Sequence, residues 1–187
     1  ARLQIQLLGI TSMPSLARLA AVSAFALGLM AFQDPAGRFT IDFPEGWTAM
    51  PPQDQGIHAV QSPPELGLVV CNAQSPDMPG LVGMTQDVIN AEMSAPMDTA
   101  GWANILGVDA ALVVVDQAES LPIDGKYLQL ATLTMKAGAF APIDVKAVMG
   151  VFVLPGRLVN AGCYSPVENF DKVKDIFKAT VSSVRPL

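Results

Sequence analysis

Apolar and polar residues alternate along the chain in short runs, and the first clear run covers residues 38–43. Phe39, Ile41 and Phe43 alternate there with polar residues, which is the period of a strand with one buried face. The sequence Pro-Glu-Gly at residues 44–46 then ends the strand, because proline cannot donate to a sheet and glycine permits a tight turn. This segment is the first in the chain that predicts folded structure.

Further apolar runs of the same kind predict that a sheet makes up most of the chain. These strands are predicted at residues 57–61, 66–73, 111–118, 126–136, 143–154 and 158–163. Asp124-Gly125 is a strong hairpin signal and Pro155-Gly156 indicates another turn. Consecutive strands in this part of the chain are therefore predicted to be antiparallel.

A helical insertion is predicted between the third and fourth strands, within residues 74–107. Thr85 is a plausible N-cap for a helix over residues 85–95. A second short helix begins at Asp98 or Thr99, buries Trp102, Ile105 and Leu106, and ends at Gly107.

The last helix is predicted from a stripe of apolar residues in the C-terminal segment. Ser165, Pro166 and Glu168 match a capping box with a proline at the first helical position. The stripe steps by three or four residues and consists of Phe170, Val173, Phe177, Val181 and Val184. The predicted fold class is therefore α+β, with helices covering an antiparallel sheet of about six to seven strands.

The N-terminal part of the chain resembles an export signal. Residues 19–32 form an uncharged apolar run that is preceded by Arg2 and Arg18, with no acidic residue before Asp34. A run of this length suits a secretory signal, whereas a membrane span needs about 20 residues. Residues 1–36 are predicted to be a leader and residues 37–187 a single domain in the periplasm or outside the cell. The alternative is that the leader is retained as an N-terminal helix. Contact with a membrane is predicted only through such a retained leader.

Composition narrows the range of partners. The chain has 187 residues, 51% of them hydrophobic, and a net charge of -6 at neutral pH with a pI near 4.6. A chain without a basic field does not attract the phosphates of nucleic acid, so nucleic acid is not an expected partner.

Two cysteines, Cys71 and Cys163, lie in predicted strands. In an oxidising compartment they are candidates for a disulfide that stabilises the fold by roughly 4 kcal/mol. The other interpretation is a pair of buried free thiols, since cysteine is among the most buried residue types. The sequence leaves both interpretations open.

The segment that opens the domain carries a family resemblance. Its residues from Phe39 to Trp47 read F-x-I-x-F-P-x-G-W, and short strands, helices, longer strands and a terminal amphipathic helix follow. This arrangement resembles the PsbP-like α/β/α sandwich superfamily, which includes PsbP extrinsic proteins, Ran-binding proteins of the Mog type, DcrB and Eag-type bacterial chaperones. The resemblance implies a non-catalytic role in binding or assembly, with partners that differ between branches.

Catalytic and metal-binding patterns are weak in this sequence. His58 is the single histidine, so a histidine-rich zinc site is excluded and a serine-histidine-aspartate triad would have to use this residue. No phosphate-binding glycine motif is present. We therefore predict a protein that is not an enzyme and that carries no cofactor and no metal.

Methionine is concentrated around the predicted insertion, where Met78, Met84, Met93 and Met97 occur close together. Three interpretations are open for these side chains. They fill the core, they form an adaptable surface for apolar partners, or, in an exported protein, they bind Cu(I). Met84, Met93, Met97 and Trp102 are the candidate binding residues.

Together these observations predict an exported, non-catalytic binding or assembly module of the bacterial cell envelope that acts through contacts with an unknown protein partner. The first alternative is a chaperone-like protein that binds apolar segments through the methionine-rich insertion at residues 74–107. A second alternative is a hydrolase or a metal-binding protein.

Overall fold

Ten strands and three α-helices follow one another in the computed structural model, which describes residues 29–51 and 56–187. The strands are β1 (Leu29–Gln33), β2 (Phe39–Pro44), β3 (Thr48–Ala49), β4 (His58–Gln61), β5 (Val70–Gln74), β6 (Val113–Ile123), β7 (Lys126–Met135), β8 (Val145–Leu154), β9 (Arg157–Pro166) and β10 (Arg185–Pro186). The helices are α1 (Gln86–Met93), α2 (Thr99–Leu106) and α3 (Phe170–Ser182).

The large sheet has seven antiparallel strands in the order β3-β4-β5-β9-β8-β7-β6. The chain leaves the middle of this sheet after β5, forms α1 and α2, and re-enters at the far edge as β6. Three hairpin-connected strands then bring it back, so that β9 pairs with β5. The predicted fold class, a sheet of about seven antiparallel strands covered by helices, is confirmed.

Turn chemistry accounts for several of the element boundaries. Asp124 and Gly125 both have positive φ, at 49° and 72°, and form the two-residue turn between β6 and β7. Thr85 caps α1 by accepting a hydrogen bond from the Val88 amide, and Asp98 caps α2 through the amide of Gly101. These turn and cap predictions are confirmed.

Apolar residues on the two faces of the large sheet build two separate cores. On one face, α3 and β2 cover a core that contains Phe39, Phe152 and Phe177. On the other face, α1 and α2 pack over a core around Trp102, Leu133 and Val151. The apolar stripe that predicted α3 is buried along its whole length, as expected.

A second sheet, which the sequence did not predict, consists of β1, β2 and β10. Strand β1 pairs along the whole of β2, with Phe32 opposite Ile41, and the Phe32 ring lies 5.6 Å from the Phe43 ring. The predicted leader includes Leu29–Gln33, whereas the structure places these residues in this sheet. An apolar run that ends beside a free strand edge gains hydrogen bonds by pairing with it. The rest of the predicted leader, residues 1–28, lies outside the described residues.

Two predicted boundaries were wrong. The third strand was expected at residues 66–73 but begins at Val70, because Gly67 has a φ of 79° and turns the chain. The capping box at Ser165 does not form, since Ser165 pairs with Lys146 inside β9. Helix α3 begins only at Phe170, after one short 3-10 turn. Here the pairing of two long strands prevailed over a local helix-capping signal.

The disulfide between Cys71 and Cys163 is confirmed. The two residues lie directly opposite each other on β5 and β9, with their Cα atoms 4.0 Å apart and a sequence separation of 92 residues. Both side chains are fully buried in the core under α3. The bond therefore joins two neighbouring strands of the large sheet whose pairing depends on a distant part of the chain.

Candidate functional site

A cavity among the described residues opens on the face of the large sheet that α1 and α2 cover only in part. It has a volume of about 420 Å³, which lies in the range of ligand-binding pockets. Its walls are β5, β8, β9, the end of β7, the end of α2 and the loop between β7 and β8. The lining residues are Asn72, Gln74, Ile105, Leu106, Met135, Phe140, Ala141, Val145, Met149, Asn160 and Tyr164.

The polar side of this cavity comes from β5 and β9. Gln74 lies opposite Asn160 in the sheet and Asn72 lies opposite Gly162, so the strand alternation directs these side chains to one face. Gly162 carries no side chain, and the Met149 sulfur and the Tyr164 hydroxyl occupy the space above it. The missing side chain thus leaves room for the Tyr164 ring in the cavity floor.

Tyr164 is the one lining residue with an ionisable side chain. Burial raises its pKa to about 12, although a hydrogen bond with Asn72 acts in the opposite direction. The phenol therefore stays protonated at physiological pH. It therefore faces the cavity as a neutral hydrogen-bonding group.

The apolar side of the cavity comes from α2 and from the loop between β7 and β8. Gly107 adopts the left-handed conformation that ends α2, which leaves Ile105 and Leu106 at the rim. Phe140 lies in the loop and is 57% exposed. Such exposure of a phenyl ring beside an apolar cavity is typical of interaction sites.

The loop between β7 and β8 is held at its base by Asp144. This carboxylate accepts hydrogen bonds from the Ala137 amide at 2.8 Å and from the Lys136 ammonium at 3.3 Å. The hydrogen bond from Ala137 and then that from Lys136 lower the pKa of Asp144 below its ordinary value. The loop is therefore closed at its ends while Phe140 projects from its tip.

The residues predicted to bind from the sequence do not line this cavity. Met84, Met93 and Met97 are half-buried, and their role in binding stays a prediction. Trp102 is fully buried in the core under α2, so its ring has no surface to offer a partner. The predicted insertion contributes to the cavity through Ile105 and Leu106 instead.

A buried glutamine explains how the segment between α1 and α2 is fixed. Gln129 is fully buried on β7, donates to the Met93 carbonyl at 2.5 Å and accepts from the Met97 amide at 2.9 Å. Ser120 donates to the same Met93 carbonyl at 2.6 Å. The backbone around both methionines is thus tied to the sheet.

His58 belongs to a second polar group, on the face of the large sheet opposite this cavity. Its Nε2 lies 3.1 Å from Oδ1 of Asp34, and its ring packs 4.8 Å from that of Phe32. Asp34 is buried and also accepts a hydrogen bond from the Arg38 amide. These contacts join the hairpin of β1 and β2 to β4, which is a structural role for the histidine.

The carboxyl group of Asp34 gives this contact a pH dependence. Burial acts to raise the pKa of Asp34, but hydrogen bonds from the Arg38 amide, His58 and the Ala36 amide, together with the Arg38 charge, outweigh it and lower the pKa. A lowered pKa in the folded state stabilises the fold above the ordinary value of 3.8, and this contribution is lost as pH falls through the folded pKa.

Asp34→Asn is therefore expected to lower the free energy of unfolding by about 1 to 3 kcal/mol at neutral pH. The difference from the wild type should shrink below pH 3.8. Urea unfolding at several pH values measures it. Asp77→Asn is the matched control, because Asp77 contacts the same Arg38 but is 85% exposed and should contribute little. A difference that is independent of pH would contradict this account.

Within residues 29–51 and 56–187, no three or more His, Cys, Asp or Glu side chains come together in a way that could hold a metal ion. None of the helices in this described part of the chain is both long and apolar enough to cross a membrane.

Comparison with known proteins identifies the fold. The sequence matches no profile of a known protein family, and no curated protein is significantly similar to it. Among solved structures, cyanobacterial PsbP (CyanoP) from Synechocystis sp. PCC 6803 is similar at a TM-score of 0.50 and 13% identity, over 88% of this chain and 96% of that one. This chain has the PsbP-like fold.

Two further PsbP-like structures have the same architecture. The Ran-binding protein Mog1p from Saccharomyces cerevisiae gives a TM-score of 0.51 at 9% identity, over 86% of this chain and 96% of its own. LpqN from Mycobacterium tuberculosis is described as involved in cell envelope biogenesis. It gives a TM-score of 0.51 at 8% identity, over 85% of this chain and 90% of its own. At these identities the similarity shows the PsbP-like fold alone.

Sequence reasoning missed the polar half of the cavity in this PsbP-like chain. Asn72 and Asn160 each interrupt an apolar strand, which is a signal in itself, because amides are rarely placed in buried strands without a partner. What brings them together is the pairing of β5 with β9. The sign of this pairing in the sequence was the candidate disulfide between Cys71 and Cys163, which lie opposite each other on the two strands.

Proposed function

We propose that this chain is an exported, non-catalytic binding module of the bacterial cell envelope that holds a protein partner at the cavity beside Phe140. The observation that carries the proposal is the cavity itself, which is uncharged, largely apolar and open to solvent. The exposed ring of Phe140 extends its apolar surface beyond the opening.

Three observations support export and an envelope location. A disulfide persists in oxidising compartments, so the Cys71–Cys163 bond supports a location outside the cytoplasm. Residues 19–28, which follow Arg18 and precede β1, form an uncharged apolar run that supports a secretory signal. LpqN, which shares the fold, is itself described as involved in cell envelope biogenesis.

The chemistry of the lining supports a binding role without catalysis. General acid and base chemistry needs a group whose pKa lies near the working pH. The one ionisable lining residue is Tyr164, whose pKa of about 12 lies far above that range. Partners of different kinds are compatible with this fold, since Mog1p is a Ran-binding protein.

Phe140→Asp is expected to abolish capture of the partner, because a charge at the rim of an uncharged apolar cavity must be desolvated when the partner binds. The matched control is Val114→Asp, since Val114 is 44% exposed on the opposite face of the sheet. Capture from an envelope extract by the immobilised, folded variants measures the effect. We expect a protein that is retained by the wild type and by Val114→Asp but lost with Phe140→Asp. Equal retention by all three would contradict the proposal.

A second candidate is a chaperone-like protein that binds apolar segments through the insertion at residues 74–107. It is favoured by the exposure of Val82 and Val88, at 73% and 52%, on this insertion. The same capture experiment with Met84→Asp separates the two candidates. The chaperone-like function predicts loss of capture with Met84→Asp and retention with Phe140→Asp.

A further inference from the structure

We infer that the cavity selects an uncharged polypeptide segment in which the side-chain amide of a Gln or Asn, flanked by apolar residues, meets Asn160. This inference rests on the proposed function, because it specifies the partner of the same cavity. Its basis is the chemistry of the cavity floor, where polar groups gather on one side and apolar groups on the other.

The absence of charged residues in the lining restricts the charge of the group that can bind. None of the residues that line the cavity is Asp, Glu, Lys, Arg or His. A charged group that enters such a site loses its hydration and finds no opposite charge, which is far more costly than the entry of a neutral group. The segment that binds is therefore uncharged where it enters the cavity.

Asn160 specifies an amide as the polar group of the occupant. Asn160 is only 9% exposed and lines the cavity, from which its amide atoms are accessible, and no side-chain hydrogen bond of Asn160 occurs among the described residues. The donors and the acceptor of this amide are best matched by a group that offers both. A second side-chain amide does this, with Gln74 directly across the sheet to complete the network.

The surroundings of the cavity favour a polypeptide as the source of that amide. Phe140 and Ile143 on the neighbouring loop are 57% and 48% exposed, so apolar surface continues past the opening and suits an occupant longer than the cavity. The floor strands β5 and β9 are each paired on both sides. The segment is therefore held through side chains that reach into the cavity, because no free strand edge is present there.

The test measures binding of short fluorescent peptides to the full chain. One peptide has a central Gln flanked by Leu residues and neutral ends, and two matched peptides replace this Gln by Met or by Glu. We expect the Gln peptide to bind about tenfold more tightly than the Met peptide and the Glu peptide to bind more weakly still. Asn160→Leu should remove the preference for Gln over Met, with its fold checked by circular dichroism.

The outcomes separate this inference from the proposed function. If the peptides bind equally well and Phe140→Asp abolishes their binding, the selection for an amide is wrong and the site stands. If no peptide binds, the polypeptide occupant is wrong. If the peptides bind but Phe140→Asp has no effect on their binding, the cavity is not their site and the proposed function fails with it. If no peptide binds but monolaurin, a neutral amphiphile, does, and if its binding depends on Asn160, the occupant is a small molecule and not a polypeptide segment. The three-peptide comparison on the wild type holds even if Asn160→Leu does not fold.

Discussion

Removal of the disulfide by Cys71→Ala with Cys163→Ala is expected to lower the free energy of unfolding by about 4 kcal/mol. The bond closes a loop of 92 residues, so it strongly restricts the unfolded chain. For a domain of this size the loss corresponds to a fall in melting temperature of roughly 8 to 16 °C.

Thermal and urea unfolding measure the effect, with and without a reductant in the unfolding buffer. Reductant should destabilise the wild type but leave the double variant unchanged, which is the internal control. Unfolding midpoints that are the same for the wild type in both buffers would contradict a stabilising bond.

The same substitution should also weaken binding of the partner. Asn72 follows Cys71 along β5, and Tyr164 follows Cys163 along β9, so the disulfide lies directly behind the polar floor of the cavity. Without the bond, the two strands are held only by their sheet hydrogen bonds and the core under α3.

The second large effect is expected from two glycines on neighbouring strands. Gly150→Ala should lower the free energy of unfolding by about 1 to 3 kcal/mol and leave binding intact. A Cβ atom at Gly150 would lie 2.6 Å from Cγ1 of Val181 and 3.2 Å from Cδ1 of Leu128. Since both neighbours lie in a packed core, α3 must move away from the sheet.

Gly162→Ala is the matched variant on the other face of the sheet, and the opposite result is expected. Its Cβ atom would overlap the ends of the Met149 and Tyr164 side chains, both of which can move into the open cavity. Stability should then fall less than in Gly150→Ala, while affinity for the partner falls because the cavity is partly filled.

Stability is measured by unfolding in urea, and affinity for the partner is measured on the same two glycine variants. A loss of affinity in Gly150→Ala that equals the loss in Gly162→Ala would contradict the assignment of binding to the cavity face.

Local patterns in the sequence predicted much of the fold. Alternation identified β2, and the apolar stripe identified α3, because both elements bury one face and expose the other. Asp124-Gly125 and Gly107 fixed a hairpin and a helix end, because few residues tolerate positive φ. In each of these cases the structure depends on residues that are close together in sequence.

The remaining features depend on residues that are far apart in sequence. Strand β1 exists because β2 offers it a free edge, and its apolar residues also match the pattern of a secretory signal. Ser165 carries a capping signal that the pairing of β8 with β9 overrides. The cavity floor forms only when β5 pairs with β9, a register that periodicity along the chain does not encode.

The central claim is that the partner binds at the cavity beside Phe140, and methionine-methyl NMR tests it most directly. Met135 and Met149 line the cavity, whereas Met84, Met93 and Met97 lie on the methionine-rich insertion. On titration with the captured partner, we predict that the methyl signals of Met135 and Met149 shift while the signals from the insertion stay in place. Shifts confined to Met84, Met93 and Met97 would contradict the claim and favour the chaperone-like alternative.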